Sequence, residues 1–432
     1  MRDAAQYREI EARVFQKVTR RLIPYLFVLY IIAFLDRVNL GYAALDMNKA
    51  LALSGEVFGL ASGIFFIGYF IFEIPSNVLL HMFGASFWIA RIMISWGVVA
   101  MLTAFVENAL QLYIVRFFLG VAEAGFFPGI ILYLTYWFRS KEQARAVALF
   151  MTAVPISSII GAPVSTWIMD NIHWLGLPGW RWLFILEGLP AVIFGIASLF
   201  YLTDKPAKAT WLTQEEKAWL ISQLEEEAAR KPPARSKWDA LRYPRVWHFS
   251  LIYFTLVTGL YGIGFWMPTI VKGLSQILTN TQVGILVAIP YIFGSIAMVL
   301  WGRHSDRTGE RKLHTAIPLI LGALGLIGSG LTVAENQLYL SLAMMIIATI
   351  GIYSFLGPFW SFANTYLNPE IAPVGIALIN SIGNLGGFLG PYIVGYLKDT
   401  TGTTYSGLYF LAVSLIVSAI LTLAVRQTKQ TK

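Results

Sequence analysis

The chain has 432 residues, of which 57% are apolar and only 13% charged, and its formal net charge is +8. Its mean hydropathy of +0.64 and its low charge, against about 25% in soluble domains, exclude a soluble enzyme. The chain contains no cysteine, which excludes disulfides, thiolate metal sites, iron–sulfur clusters and a cysteine nucleophile.

The apolar residues fall in twelve runs that are long enough to cross a bilayer, since a spanning helix needs about 20 residues. Continuous runs exclude an outer-membrane barrel, which reads as alternating segments of about 10 residues. We therefore predict an all-α integral membrane protein with spans at residues 22–43, 57–80, 88–106, 110–137, 145–169, 181–202, 245–271, 282–301, 314–333, 338–362, 373–397 and 405–425.

The first, second and sixth spans contain ionisable residues. Asp36 and Arg37 lie in the first span, Glu73 in the second and Glu187 in the sixth. A charge at a span centre costs about 2.5 to 3.5 kcal/mol on the insertion scale, so an interior functional site is the default interpretation. For Glu73, near one end of its span, and Glu187, which we expect to pair with Arg181, a structural role is favoured.

The fourth span carries Arg116 and Glu123, which are seven residues apart and therefore lie on nearly the same helix face. Helix rise places Arg116 at the level of Asp36 and Arg37. Because an arginine fork suits a carboxylate ligand, we predict that Arg37 and Arg116 bind an anion while Asp36 and Glu123 carry protons. A static network that only holds the helices together is the alternative.

A polar stretch at residues 203–244 separates six spans from six more. In it, Thr213 and Glu216 form a predicted capping box for a short helix that runs to about Arg230 and is ended by Pro232 and Pro233. The predicted organisation is a cytoplasmic N-terminal segment, an N-terminal six-helix bundle, a cytoplasmic linker with a short helix, a C-terminal six-helix bundle and a cytoplasmic tail, at residues 1–21, 22–202, 203–244, 245–425 and 426–432.

The two halves of the chain resemble each other. Gly161-Ala-Pro in the fifth span precedes Asp170, and Gly390-Pro in the eleventh span precedes Asp399. Repeats with spans interrupted by Gly and Pro are typical of transporters whose substrate lies near the membrane midplane between the halves. Helix packing alone is the alternative explanation for these small residues.

The turn after the eighth span matches the signature G-x-x-x-D-R-x-G-x-R-[RK] at residues 302–312. Gly302 and Gly309 are expected to permit a tight, closely packed turn. Asp306 can pair with Arg307 or Arg311, or it can face a helix N-terminus. Such a cluster could hold one state of a rocking transporter, and we predict a cytoplasmic gate here. A basic loop that only sets topology is the alternative.

The second half has no charge within its spans but carries uncharged polar candidates. These are Tyr261 on the seventh helix, Trp360 and Asn364 on the tenth, and Asn380 and Asn384 on the eleventh. The two asparagines are spaced i, i+4, so they share a helix face and could bind substrate oxygens. Interhelical packing is the alternative for the asparagines.

The distribution of Lys and Arg predicts the orientation. If the N-terminus is cytoplasmic, 26 of the 32 Lys and Arg residues lie on the cytoplasmic side and 4 outside, as the positive-inside rule requires. No G-x-x-x-x-G-K-[ST] motif occurs, and the five histidines lack helical metal-site spacing. We therefore expect no nucleotide, nucleic acid, metal or cofactor, and a proton as the coupling ion.

Four motifs resemble those of the anion:cation symporter family of the major facilitator superfamily. They are L-D-R-V-N, R-F-F-L-G-V-A-E-A-G-F-F-P-G, W-R-W-L-F-I-L-E-G and I-N-S-I-G-N-L-G-G-F-L-G-P, at residues 35–39, 116–129, 180–188 and 379–391. The resemblance implies the major facilitator fold, with two pseudo-symmetric six-helix bundles. It also implies coupling acids at Asp36 and Glu123 and substrate-binding arginines at Arg37 and Arg116. Within the family, the chain looks most similar to bacterial tartrate permeases.

The sequence thus predicts a secondary active transporter, not an enzyme, in the bacterial inner membrane with both termini cytoplasmic. We expect proton-coupled uptake of a small organic anion, a hydroxylated carboxylate such as tartrate or a sugar acid, by rocker-switch alternating access of a monomer. The alternatives are an organic anion exchanger and an aromatic-acid permease. A drug/proton exchanger is less favoured because Arg37 and Arg116 do not suit a cation.

Overall fold

The computed structural model describes residues 2–230, 241–367 and 372–425, and within these ranges every regular element is a helix. The α-helices are α1 Arg2–Ala50, α2 Gly55–Phe83, α3 Ala85–Leu102, α4 Ala109–Glu123, α5 Phe126–Thr135, α6 Ser140–Met151, α7 Ala153–Asn171, α8 Gly179–Tyr201, α9 Gln214–Arg230, α10 Pro244–Leu274, α11 Asn280–Thr308, α12 Lys312–Ala334, α13 Leu338–Tyr366, α14 Ala372–Asn384, α15 Gly386–Thr401 and α16 Tyr405–Ala424.

Twelve stretches of the described chain are helical, long and apolar enough to span a membrane, as predicted. Helices α4 and α5 together form the fourth span, α14 and α15 supply the eleventh, and α7 with the end of α6 supplies the fifth. Helix α9 lies outside the spans. We call the side of the molecule that carries α9 the linker side and the other the opposite side.

The first helix is longer than predicted, because α1 runs without a break from Arg2 through the first span. The segment at residues 1–21, predicted as a separate N-terminal region, is therefore mostly part of this helix. Its apolar residues Ile10, Val14, Val18 and Leu22 recur every four positions and are all buried. A stripe with this spacing stabilises a helix by packing one face against the protein.

Helix α9 packs against the extended part of α1. The predicted capping box is present, since the Glu216 amide donates to the Thr213 hydroxyl (3.2 Å) and the Thr213 amide donates to the Glu216 carboxylate (2.9 Å). Lys17 of α1 also donates to Glu216 at 2.7 Å, and Phe15 packs edge-on against Trp219. Helix α9 is thus fixed to the first half. Pro232 and Pro233, predicted to end this helix, lie outside the described residues, as does the tail at 426–432.

The fourth span is broken rather than continuous. Helix α4 ends at Glu123 and α5 begins at Phe126, and between them Gly125 has the left-handed φ of +85°. Its α-carbon lies so close to Ser76 of α2 that any Cβ would clash, so only glycine suits this position. The break places Glu123 at a helix end inside the protein, where broken helices of transporters commonly form binding sites.

Two aspartates join the halves on the opposite side in related ways. At the end of α15, Asp399 accepts hydrogen bonds from the amides of Gly55 (2.9 Å) and Glu56 (2.7 Å) at the start of α2. At the end of α7, Asp170 accepts from the amide and the hydroxyl of Thr281 in α11, both at 2.7 Å. A carboxylate at a helix N-terminus is favourable because it meets unpaired amides and the positive end of the helix dipole.

The helices of these two contacts approach closely. A Cβ on Gly284 of α11 would collide with the carbonyl of Ala162 and the hydroxyl of Thr166 in α7. A Cβ on Gly59 of α2 would likewise lie 2.5 Å from the carbonyl of Pro391 in α15. Glycine at both positions allows the backbones to touch. The two halves are therefore tightly closed on the opposite side.

Candidate functional site

A cavity lies between the two halves, near the middle of most of the spans that line it. Its volume is about 50 Å³, which is room for a few water molecules. Polar groups enter it from Arg37 of the first half and from Asn380 and Asn384 of the second. Most of the remaining wall is aromatic, formed by Tyr30, Phe34, Tyr69, Phe127, Tyr253, Tyr261 and Trp360.

Arg37 connects the halves within this cavity. One terminal nitrogen forms an ion pair with Oε1 of Glu123, and the other donates to the Tyr261 hydroxyl on α10 at 2.9 Å. The guanidinium carbon also lies 5.5 Å from the ring centres of Phe65 and Tyr69, a favourable cation–π distance. Arg37 is 7% exposed and Glu123 is completely buried. The charge pair is therefore held in a medium of low dielectric constant, where the attraction between the two charges is strong.

Arg116 lies behind the cavity wall rather than in it. Its Nε donates to the Ala61 carbonyl at 3.3 Å, and its guanidinium lies 5.2 Å from the Phe65 ring. Nη2 of Arg116 and Oε2 of Glu123 have no hydrogen-bond partner among the described residues. Buried polar atoms without partners are rare and need an explanation, of which a functional role is one. Substrate binding by Arg116 remains a prediction.

Asp36 contacts neither arginine by a salt bridge among the described residues. Its carboxylate accepts a hydrogen bond from the Trp96 indole at 2.9 Å and a longer one from the Asn39 amide at 3.4 Å. Asp36 is 1% exposed and does not line the cavity. From helix rise alone we predicted that Asp36 lies at the same depth as Arg37 and Arg116. In the structure its side chain points away from them, into the first half towards α3.

The predicted polar residues of the second half are mostly at the cavity. Tyr261, Trp360, Asn380 and Asn384 all line it. Asn364 does not, because it lies near the linker-side end of α13 and is exposed. The expectation that Asn364 contributes to the same site therefore finds no support in this structure. Its side chain is one turn beyond Trp360, which is enough to place it outside the cavity.

Two buried carboxylates have partners that the sequence did not indicate. Glu187 accepts from the Ser165 hydroxyl at 2.5 Å, whereas its expected partner Arg181 donates to the Ala104 carbonyl. Glu73 accepts from the Ser381 hydroxyl at 2.6 Å across the interface between the halves. Sequence reasoning missed this second contact because serine gives no charge signal, although Ser381 directly follows the predicted Asn380.

The predicted gate motif forms a compact turn on the linker side. Asp306 pairs with Arg311 at 2.7 Å, one of the two partners expected, while Arg307 is the basic residue in the last turn of α11. Gly309 caps α11 with a left-handed φ of +69°, as a tight turn requires. Gly302 does not fit the expectation of close packing, because it lies within α11 and a Cβ there would meet no atom within 4 Å.

Comparison with known proteins identifies the family. The model of the Major Facilitator Superfamily matches residues 26–391. An Agrobacterium vitis protein named "Putative tartrate transporter" is 49% identical over 424 residues, which are 98% of this chain and 93% of that protein. The "Quinolone resistance transporter" of Acinetobacter baumannii is 38% identical, covering 98% of both chains. The "Putative metabolite transport protein NicT" of Pseudomonas putida is 39% identical, covering 95% of this chain and 94% of that one.

Solved structures share the fold. The xylose transporter XylE of Escherichia coli, partially occluded and inward open, aligns with a TM-score of 0.73 at 14% identity, covering 95% of this chain and 99% of that one. An inward-facing, occupied bacterial homologue of the lysosomal transporter Spinster aligns with a TM-score of 0.74 at 16% identity, covering 93% and 95%. The predicted fold, twelve spans in two six-helix bundles, is confirmed. The chain is a multi-pass membrane protein that belongs to the major facilitator superfamily.

Proposed function

We propose that this transporter takes up a small organic anion together with protons, by alternating access of the cavity to the two sides of the membrane. The observation that carries the proposal is the position of Arg37. It is the one charged side chain among the residues that line the cavity within the described chain, and it is bound on one side by Glu123 and on the other by Tyr261.

This arrangement offers a direct means of coupling. A substrate carboxylate that binds the Arg37 fork must compete with the carboxylate of Glu123, since both are anions. Protonation of Glu123 removes its charge and releases the guanidinium to the substrate. Loss of that proton restores the ion pair and displaces the anion. Proton binding and anion binding at Arg37 therefore favour each other.

Asp36 is the second candidate proton carrier. It is buried, and neutral donors, the indole of Trp96 and the amide of Asn39, hold its carboxylate. Such a carboxylate can exchange a proton without breaking a salt bridge. With Glu123 this makes two sites, and a dianion accompanied by two protons would cross the membrane without net charge.

For the substrate we propose a hydroxylated carboxylate, with tartrate first. The tyrosine hydroxyls and the amides of Asn380 and Asn384 offer partners for hydroxyl groups, and the names of the relatives at 48% and 49% identity support the same class. One observation favours a second candidate, an aromatic carboxylate. Seven aromatic side chains line the cavity, and rings stack well on such walls.

We further propose that the linker side is cytoplasmic and that the membrane is the bacterial inner membrane. Helix α9 belongs to the segments that the sequence predicts as cytoplasmic, and the excess of Lys and Arg in those segments, 26 against 4, supports that orientation. The transporter is proposed to work as a monomer, with the two bundles rocking about the cavity.

The proposal is tested by uptake of radiolabelled tartrate into proteoliposomes with an inward proton gradient. Accumulation above equilibrium, abolished by a protonophore, is expected. Glu123→Gln should abolish accumulation but keep exchange of internal for external tartrate, because the anion site remains. The matched control is Glu187→Gln, a buried carboxylate of the same half that is bonded to Ser165. Accumulation that persists in Glu123→Gln would refute the role of Glu123.

A further inference from the structure

Another buried carboxylate lies directly beside the cavity on its linker side. Glu73 is 4% exposed and follows the cavity residue Tyr69 by four positions on α2, so it lies about 6 Å nearer to the linker side. Its Oε2 accepts a hydrogen bond of 2.6 Å from Ser381, the neighbour of the cavity residue Asn380 on α14.

The bond between Glu73 and Ser381 joins the two halves, since α2 belongs to the first and α14 to the second. The contacts of Asp170 and Asp399 join the halves on the opposite side of the cavity. The cavity is thus bounded by interhalf hydrogen bonds on both sides. In a rocking transporter only one of these boundaries can open at a time, and the Glu73 contact is the one nearest to a substrate in the cavity.

We propose that Glu73 is a positioning residue of the transport cycle, whose bond to Ser381 closes the linker-side exit of the cavity and breaks each time that exit opens. The inference rests on the proposed alternating access. It assigns Glu73, for which the sequence favoured only a structural role, to the exit itself.

The test uses the absence of native cysteine. A single reporter, Val154→Cys, is placed in the wall of the cavity, and its labelling rate by a membrane-impermeant maleimide is measured in inside-out vesicles. A second single-cysteine protein, Ser222→Cys on the exposed face of α9, verifies which side faces the reagent. Neither measurement requires a substrate. A wrong assignment of the substrate therefore does not affect the result, and the role of Glu73 at the exit is tested separately.

Ser381→Ala and Glu73→Ala are each expected to raise the reporter's labelling rate at least about fivefold, the effect of losing one typical hydrogen bond. Glu73→Gln keeps an oxygen acceptor and should give a smaller increase. The matched control is Ser165→Ala, which removes a serine–glutamate bond within one half and should leave the rate unchanged. If Glu73→Ala does not fold, Ser381→Ala and Glu73→Gln carry the test. Unchanged labelling in folded Ser381→Ala would overturn the proposal, and so would an equal increase in Ser165→Ala.

Discussion

Replacing Asp399 and Asp170 by asparagine tests how the halves are held together on the opposite side. The two replacements are not equivalent. Asp399 uses both carboxylate oxygens, one for each amide of Gly55 and Glu56, so an asparagine must turn an NH₂ group towards one donor. Asp170 uses one oxygen for both groups of Thr281, so an asparagine keeps both bonds and loses only the charge.

The expected magnitudes follow from these contacts. Loss of charge at a helix N-terminus costs about 1 kcal/mol, and a donor left without its acceptor costs at least about 1 kcal/mol more. Asp170→Asn should therefore shift the equilibrium between open and closed forms by about fivefold, and Asp399→Asn by about thirtyfold. Because the contacts lie on different helix pairs, the effects should add in the double variant.

The assay is maleimide labelling of the Val154→Cys reporter with the reagent on the opposite side. The matched control is Asp204→Asn. Asp204 accepts from the amide (2.9 Å) and hydroxyl (2.7 Å) of Ser86, as Asp170 does from Thr281, but within one half. Faster labelling in the order Asp399→Asn, Asp170→Asn, control is predicted. Equal rates in all three proteins, or a larger effect in the control, would refute the reasoning.

Three further predictions concern other contacts. Arg37→Lys should weaken tartrate binding, measured by calorimetry, at least about tenfold because a lysine lacks the planar fork of arginine. Arg116→Lys should weaken it less, because Arg116 lies behind the cavity wall. The reverse order would assign the main role in binding to Arg116. Gly284→Ala should open the opposite side to labelling, since its Cβ meets Ala162, while Gly264→Ala, whose Cβ has its nearest atom at 4.0 Å, should not. Burial disfavours ionisation of Glu216, but the bonds from Lys17 and Thr213 hold its pKa below the ordinary value; its contribution to α9 docking is thus complete above about pH 4.3 and lost as the pH falls further. Hydrogen exchange of α9 should show this loss, and Glu216→Gln should remove it; an unchanged pH dependence would contradict the assignment.

Much of the architecture follows from sequence because its causes are local. Span length, the apolar periodicity and the capping box of Thr213 and Glu216 each depend on residues within a few turns of one another. The continuation of α1 through residues 2–21 has a local cause as well. The apolar residues before position 22 form a stripe, Ile10, Val14 and Val18, but their segment is too polar as a whole to count as a membrane span.

The sequence indicated which charged residues lie inside the spans, but not how they pair. Burial cost indicated a special role for Arg37, Arg116, Asp36 and Glu123, and equally for Glu73 and Glu187. The depth estimated from helix rise then placed Arg37 beside Asp36 and Arg116. That estimate treats each helix as straight and ignores the length of the side chains. A long arginine side chain reaches Glu123 at the end of α4 instead. Contacts between the halves, such as that of Glu73 with Ser381, depend on how each helix is rotated about its axis relative to its neighbours. The sequence of a single span does not determine that rotation.

The central claim is that anion and proton share the Arg37–Glu123 site, and the most direct test follows proton entry itself. An internal pH dye is recorded in proteoliposomes while tartrate, galactonate, benzoate or nicotinate is added outside. The account predicts internal acidification with one class of acid, and none in Glu123→Gln. If no acid moves protons while anion counterflow persists, the protein is an anion exchanger and the claim is wrong.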